Sequence, residues 1–188
     1  GGSGWSGAWS ASAAFDSDDA VVAVGSFSCL NATGAGSINR GLTTGVTAGT
    51  VQFVMRKTSN AANTDFRTKF REGTTVRYTV GWADGAFRLS GATSPSLLDT
   101  PATDTWYYVQ VVFNQPGNNA KARYSTDGTN WNAYTADTEP SGVSWNQIDD
   151  VQLTMDSGTW SGYWDDIKDG ADVAVTERPR HLTLLGVS

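Results

Sequence analysis

Apolar and polar residues alternate along much of this chain, in short segments separated by turns rich in glycine, asparagine and aspartate. Alternation with a period of two is typical of β-strands that bury one face. The clearest segment covers residues 106–113, where one face carries Tyr107, Val109, Val111 and Phe113. The same pattern predicts strands over residues 50–56, 65–71, 76–82, 87–89, 120–125, 151–155 and 163–167.

The intervals between these segments carry turn residues and show no helical period. Residues 115–119, Gln-Pro-Gly-Asn-Asn, and the pair Asp127-Gly128 are typical of tight turns between antiparallel strands. Many short strands joined in this way are typical of an antiparallel sandwich or barrel. No repeat or linker divides the chain, so we expect one domain over residues 1–188.

The two ends of the chain differ from its middle. Residues 1–14 are rich in glycine and tryptophan and are expected to form an extended arm that packs on the domain. Residues 172–188 are expected to form either a final strand over residues 181–187 or the start of a bacterial C-terminal sorting signal.

Composition narrows the possible partners. Charged residues make up 17% of the chain and the net charge is −6, so we expect no nucleic acid partner. No apolar run approaches the ~18 residues of a membrane span, so none is expected. The single cysteine, Cys29, lies in an apolar setting and is expected to be an inert core thiol.

Three segments together resemble a known group of folds. A tryptophan opens the alternating strand of residues 106–113, an Asp-Gly hairpin lies within residues 124–131, and aromatics precede an aspartate pair in residues 162–167. In this order the segments resemble laminin G-like and concanavalin A-like domains, and the opening nine residues resemble bacterial secreted members. The resemblance implies an all-β, antiparallel two-sheet jelly-roll sandwich, located outside the cell or on its surface. Such domains include lectins, adhesion modules and glycan-cleaving enzymes, so the fold does not select a function.

Tryptophan is unusually frequent, with eight residues in the chain, and several lie at or near polar turns. An exposed indole offers a flat apolar face for a sugar ring and one N–H donor. Alternatively, these rings cover sheet edges and close the ends of the sandwich. The candidate carbohydrate-binding residues are Trp131, Trp145, Trp160, Trp164 and Tyr163.

Two groups of aspartates are candidates for a structural calcium site. One precedes the first strand and the other lies at the last family-like strand, and terminal strands of a jelly roll are commonly neighbours. Calcium takes 6–8 oxygen ligands in irregular geometry, and the resemblance to carbohydrate-binding modules also implies such an ion. The alternative is that these side chains cap backbone N–H groups in turns. The candidate metal ligands are Asp16, Asp18, Asp19, Asp165 and Asp166, with Asp169 nearby.

A basic stripe is predicted on one strand. Arg67, Lys69 and Arg71 alternate with the apolar face of residues 65–71. The stripe is either an ordinary solvated strand face or a contact for anionic sugars or for the acidic surface of another copy.

Enzymatic activity is not expected. Glycoside hydrolysis needs two carboxylates across a cleft, and none of the three glutamates, Glu72, Glu139 and Glu177, lies in a paired-carboxylate strand. Residues 67–71 are superficially similar to the Arg-Ser/Thr-Glu-Leu-Arg motif of jelly-roll polysaccharide lyases, but Lys69 replaces the glutamate. The lyases' Gln-Ile-His reads Gln147-Ile148-Asp149 here, so the histidine is absent.

Two functions from different classes remain. The first is a non-catalytic extracellular module that binds a polysaccharide or cell-surface glycan, or mediates adhesion, through exposed aromatic rings. The second is a structural subunit that assembles with copies of itself into a coat, sheath, filament or capsid, to which the tryptophan-bearing arm would contribute.

Overall fold

The computed structural model describes residues 6, 8–10, 12–25, 28–31, 35–59, 65–83, 85–142, 144–156 and 160–168. These residues form twelve strands: β1 Phe15–Asp18, β2 Ser28–Asn31, β3 Gly36–Val46, β4 Ala48–Lys57, β5 Phe66–Glu72, β6 Thr75–Ala83, β7 Ala86–Ser90, β8 Ser96–Leu98, β9 Tyr107–Asn114, β10 Asn119–Ser125, β11 Ile148–Met155 and β12 Gly162–Lys168. Among the described residues, no helix is long and apolar enough to cross a membrane.

The strands form two six-stranded sheets. Sheet A has the order β1-β2-β12-β4-β9-β10, and sheet B has the order β3-β11-β5-β6-β7-β8. All pairs are antiparallel. The chain crosses between the sheets after β2, β3, β4, β8, β10 and β11, which is typical of a jelly roll. The all-β, antiparallel two-sheet jelly-roll sandwich predicted from the sequence is confirmed.

The strands predicted from alternation are present, but the pattern did not predict β1, β2, β3 or β8. The predicted segments over residues 50–56 and 106–113 correspond to β4 and β9. Strand β3 was not predicted, because the alternation places Arg40 on the same side as Ile38 and Leu42 and so interrupts the apolar face. Strand β8 is only three residues long and offers no period to detect.

The core lies between the sheets and is dominated by aromatic rings. The ring of Phe70 in sheet B lies 6.1 Å from that of Phe53 and 5.0 Å from that of Phe113, both in sheet A. Full burial of each such side chain contributes about 1.5–3 kcal/mol relative to exposure. The predicted inward faces are confirmed for Phe66, Phe70, Val109, Val111, Leu153 and Met155.

The edge of sheet B at β3 is covered by the beginning of the chain. The backbone N–H of Ser6 donates to the carbonyl of Gly41 at 2.9 Å, and that of Ser10 donates to the carbonyl of Asn39 at 2.9 Å. Trp9 packs against the core beside them. These residues belong to the predicted N-terminal arm, of which residues 1–5, 7 and 11 lie outside the described part of the chain.

The edge of sheet A at β10 is covered by the segment that follows it. Residues 131–138 run antiparallel to β10, and Thr135 N–H donates to the carbonyl of Ala122 at 2.8 Å. Thr138 and Ala120 exchange two such bonds, at 2.8 and 2.9 Å. The backbone groups of β10 are therefore used within the chain rather than offered to a second copy.

The predicted single domain over residues 1–188 stays a prediction. Buried residues of both sheets form one cluster that includes Ile38 and Trp164. Residues 169–188 lie outside the described residues, so Asp169, His181 and the C-terminal segment predicted over residues 172–188 cannot be placed in this fold.

Candidate functional site

Four of the five aromatic residues proposed from the sequence as exposed ligand platforms are buried. Trp145 is 1% exposed, and Trp160, Trp164 and Tyr163 are also buried. The expectation that they face solvent is wrong, and a ring without an exposed face cannot stack on a sugar. Only Trp131 remains half-exposed.

The buried tryptophans complete the core of the sandwich. Trp145 meets Tyr78 edge to face at 5.8 Å. Trp160 meets Phe66 edge to face at 5.9 Å. Trp164 lies 4.1 Å from the same Phe66 ring, and its indole N–H donates to the Thr68 hydroxyl at 3.1 Å. These rings fill the inside of the sandwich. This resembles the alternative given by the sequence, in which the rings cover sheet edges and close the ends of the sandwich.

Tyr163 is covered on the outer side of sheet A. Its ring lies 6.2 Å from the ring of Trp106, and the guanidinium of Arg56 lies 5.2 Å from its centre. Arg56 is held in turn by a 2.7 Å ion pair with Asp104. This stack closes the surface around Tyr163.

The predicted basic stripe is present on the outer face of β5, but two of its three cations are neutralised. Arg67 forms an ion pair with Asp65, and Arg71 pairs with Asp150 at 2.6 Å. Burial lowers the pKa of Lys69, and the neighbouring charge of Arg67 lowers it further. The stripe is largely a set of internal ion pairs, and its predicted contact with an anionic partner stays a prediction.

Three of the aspartates proposed for calcium, Asp16, Asp18 and Asp165, accept hydrogen bonds from backbone N–H groups. The Oδ1 atom of Asp18 accepts the N–H groups of Ala20 and Val21 at 2.7 and 2.9 Å. The Oδ1 atom of Asp16 accepts the N–H of Ser17 at 2.7 Å. Strand β2 separates β1 from β12, which places the two acidic groups on strands about 10 Å apart.

Asp165 is the most constrained of these residues. Its Oδ2 atom accepts the N–H groups of Ala23 at 2.9 Å and Val24 at 2.8 Å, and its Oδ1 atom accepts the N–H of Asp166. It thereby fixes residues 19–25 against the outer face of sheet A. Within the described residues no three histidine, cysteine, aspartate or glutamate side chains form a group that could hold a metal. The described residues therefore do not fit a calcium site, and the ion stays a prediction.

A polar row crosses three strands on the outer face of sheet A. Gln52 of β4, Gln110 of β9 and Arg123 of β10 are register partners. The side chain of Arg123 donates through Nε to Oε1 of Gln110 at 2.8 Å, and Nε2 of Gln110 donates to Oε1 of Gln52 at 3.0 Å. The neighbours of Gln110 in β9, Val109 and Val111, point into the core, which fixes this row on the outside.

Two aromatic rings from the segment after β10 flank this row. The guanidinium of Arg123 lies 4.9 Å from the centre of the Trp131 ring and 4.6 Å from that of Tyr134. The ammonium of Lys121, two residues before Arg123 on the same strand face, lies 5.0 Å from the Tyr134 ring. Contacts of this type between a cation and a ring are attractive and orient both groups.

The turn that carries Trp131 is organised by Asp127. Its Oδ1 atom accepts the N–H groups of Thr129 at 2.8 Å and Asn130 at 2.7 Å. These hydrogen bonds, with the one from Asn130 first, hold the pKa of Asp127 well below its usual range. Gly128 follows with φ +73°, a conformation that favours glycine. The tight turn predicted at Asp127-Gly128 is present, and it leads the chain back along β10.

A shallow depression lies beside Lys121, whose ammonium contacts the Tyr134 ring. It has a volume of about 280 Å³ and is lined by Val112, Asn114, Asn119, Lys121 and Asp137. We call the following set the Arg123 face: the row, the rings and the depression, comprising Gln52, Gln110, Val112, Asn114, Asn119, Lys121, Arg123, Trp131, Tyr134 and Asp137.

The Arg123 face offers hydrogen-bond donors, acceptors and aromatic carbon on a rigid sheet. Arg123 and Lys121 supply cationic donors, and Gln52, Asn114 and Asn119 supply neutral amides. Gln110 is 8% exposed, and its amide holds Arg123 and Gln52. Among the residues that line the depression, Asp137 is the one carboxylate, and its Oδ2 atom accepts a 3.4 Å hydrogen bond from Asn119. Such a surface is suited to binding a polar ligand and lacks a pair of acids for cleaving one.

Most of this face was missed by sequence analysis. Trp131 was proposed, whereas Gln110, Lys121 and Arg123 were recognised only as parts of strands. Their outward direction follows from the alternation in β9 and β10. The outward direction of Gln52 follows likewise from the alternation in β4. Its contact with Gln110 and the position of the Tyr134 ring carry no such signal, since they depend on the pairing of distant segments.

No protein-family model matches the chain, and no curated protein matches it. Among solved structures, a sialidase matches with a TM-score of 0.59 and 11% identity over 85% of this chain, which spans only 17% of the sialidase. The catalytic domain of the glycoside hydrolase family 131 protein from Coprinopsis cinerea matches with a TM-score of 0.53 and 12% identity, over 83% of this chain and 77% of that domain. A GH131 β-glucanase catalytic domain from Podospora anserina matches with a TM-score of 0.52 and 15% identity, over 77% and 72%. At such identities the likeness is one of fold.

Proposed function

We propose that the chain is a carbohydrate-binding module, located outside the cell or on its surface, that binds a polysaccharide on the Arg123 face without cleaving it. The observation that carries the proposal is the row from Gln52 through Gln110 to Arg123, ending between the rings of Trp131 and Tyr134. The resemblance to laminin G-like domains and a role in adhesion belong to the same proposal.

The rigidity of the row supports binding. Its three side chains stand on adjacent strands spaced about 4.8 Å apart, so together they cover about 10 Å of the sheet. Because the amides and the guanidinium are hydrogen-bonded to one another, their orientations are set before a ligand arrives. Binding then costs less conformational entropy than it would with free side chains.

The distribution of carboxylates supports a role without cleavage. Carboxyl groups of glycosidases stand about 5–9.5 Å apart across the scissile bond. Of the residues that line the depression of the Arg123 face, Asp137 is the one with a carboxyl group. On the other sheet, burial raises the pKa of Asp156, and the neighbouring Asp65 carboxyl raises it further.

The alternative of a self-assembling subunit gains no support from the described sheet edges. The edges at β3 and β10 are covered by residues 6–10 and 131–138. The remaining edge strands, β1 and β8, are four and three residues long. Short or covered edges disfavour pairing between copies, so assembly stays a prediction that light scattering can test.

The proposal is tested by electrophoresis of the protein through gels that contain single polysaccharides. Wild type is expected to be retarded by at least one of them and to release no reducing sugar from it. Trp131→Ala is expected to lose retardation. Trp106→Ala is the matched control, because Trp106 is also half-buried on sheet A but packs on Tyr163. Failure of wild type to be retarded by any gel overturns the proposal, and so does equal retardation of both variants.

A further inference from the structure

We infer that the ligand of the Arg123 face is an acidic polysaccharide, whose carboxylate or sulfate groups dock on Arg123 and Lys121. The inference rests on the proposed function and assigns its ligand class. It depends on three properties of this face: the absence of carboxylate partners, the positions of the rings, and the spacing of the two cations.

Most arginines in the described part of the chain form an ion pair with a carboxylate. Arg56 pairs with Asp104 at 2.7 Å and Arg77 pairs with Glu72 at 2.8 Å. Arg67 and Arg71 of the predicted basic stripe are paired in the same way. A chain with net charge −6 has ample acid for such pairs.

Arg123 and Lys121 depart from this rule. Arg123 donates through Nε to the neutral Gln110, and within the described residues its Nη1 and Nη2 atoms have no hydrogen-bond partner. In the same part of the chain, no carboxylate oxygen lies within 4 Å of Nζ of Lys121 or the guanidinium of Arg123. In the part of the chain that the structure describes, the two cations therefore stand side by side with no carboxylate in ion-pair contact.

The aromatic rings hold these cations rather than offering free faces on that side. Arg123 lies over the rings of both Trp131 and Tyr134, and Lys121 lies over that of Tyr134. A neutral sugar that stacked on the same faces would have to displace the cations. An anion needs no displacement, because it can approach the guanidinium edge formed by the free Nη atoms. That planar edge matches the two oxygens of a carboxylate or sulfate.

The spacing of the cations favours a polymer over a single small anion. Residues two apart on a strand point to the same side about 6.5–7 Å apart, so Lys121 and Arg123 present two charges along β10. Asn119 lies two residues before Lys121 on the same face of β10. It borders the depression together with Asp137. Asn119 and Asp137 can hydrogen-bond to neutral hydroxyl groups between acidic ones.

The test compares one polymer with and without its charge. Polygalacturonate, and the same polymer after reduction of its carboxylates to alcohols, are titrated into the protein by calorimetry. We expect polygalacturonate to bind at least about tenfold more tightly, equivalent to ~1.4 kcal/mol. The difference should shrink as NaCl is raised, because salt screens an exposed charge pair. Dextran sulfate and dextran form a second pair that separates sulfate from carboxylate recognition.

Three variants locate the effect. Arg123→Gln and Lys121→Gln are each expected to reduce the affinity for the charged polymer by a larger factor than the affinity for the reduced polymer. Arg88→Gln is the matched control, since Arg88 is a half-buried arginine on the outer face of sheet B that donates to the Ser94 carbonyl. Lys121→Gln keeps the inference testable if loss of Arg123 disturbs the two rings.

The outcomes separate this inference from the proposed function. Equal affinity for charged and uncharged members of both polymer pairs overturns the acidic ligand while the carbohydrate-binding role stands. Binding to no polysaccharide overturns both. Preference for a charged polymer that is unchanged in both glutamine variants overturns the placement on Arg123 and Lys121. If the protein prefers dextran sulfate over dextran but does not prefer polygalacturonate over its reduced form, the inference is supported and the recognised group is sulfate.

Discussion

The ammonium group of Lys57 lies 4.4 Å from the centre of the Trp160 ring, inside one end of the sandwich. Lys57 is 1% exposed because the alternation of β4 turns it inward, on the same side as Phe53 and Met55. Burial lowers the pKa of the Lys57 amine to about 8, an effect that the charge of Asp65 opposes. The ring favours the charged amine, and burial favours the neutral one.

Stability is expected to rise with pH through the titration of Lys57. The amine has a pKa of about 8 in the folded chain and the ordinary 10.5 in the unfolded chain, so between these values the unfolded chain binds more protons. The free energy of unfolding therefore increases with pH in this window. The contribution between pH 7 and pH 9.5 is about 2 kcal/mol.

Urea unfolding of wild type and Lys57→Met at several pH values between 7 and 9.5 measures this contribution. The methionine keeps the length of the side chain and removes the titration, so the difference between the two free energies of unfolding should change with pH. A difference that stays constant over this range would show that Lys57 is not responsible.

Asp165→Asn is expected to lower stability by about 1–3 kcal/mol, because it weakens hydrogen bonds from the backbone of Ala23 and Val24 to a buried carboxylate. Asp16→Asn is the control, since Asp16 is exposed and accepts one local bond. Thermal melts of both variants, with and without EDTA, test the calcium prediction at the same time. With these carboxylates occupied by N–H groups, we expect EDTA to leave wild type unchanged; an EDTA-dependent fall in Tm would instead support a bound ion.

Replacing the buried Trp145 is expected to lower the free energy of unfolding much more than replacing the half-exposed Trp131. Trp145→Ala removes a ring packed against Tyr78 and Phe113 and is expected to cost about 3–5 kcal/mol. Trp131→Ala removes a contact with Arg123 and is expected to cost about 0.5–1 kcal/mol. Chemical denaturation of the two variants measures both values, and similar losses would place Trp131 in the core as well.

Gln110→Met is expected to weaken polysaccharide binding several-fold, because it removes the group that holds Nε of Arg123 and the amide of Gln52. Gln152→Met is the control, since Gln152 is a half-buried glutamine on the outer face of sheet B. Titration with the polysaccharide that retards wild type gives the two dissociation constants. An unaffected Gln110→Met variant would show that the row does not position Arg123 for the ligand.

The sequence by itself determined eight of the twelve strands and their buried faces. Alternation is a local property, so Val109, Val111 and Phe113 predict both the strand β9 and the face of it that packs against the core. The outward direction of Gln110 follows from the same period. Where an inward position carries a charged side chain, as at Arg40 of β3, this local signal failed.

Only the tertiary structure decided which polar and aromatic residues meet. Trp131 and Trp145 both lie in loops rich in small polar residues, yet one is buried against Tyr78 and the other flanks Arg123. Burial of a loop side chain depends on where the loop passes over the sandwich, which local composition does not encode. The contact of Gln52 with Gln110 likewise requires the register of two strands far apart in the chain, and that register is set by the packing of both sheets around their common core.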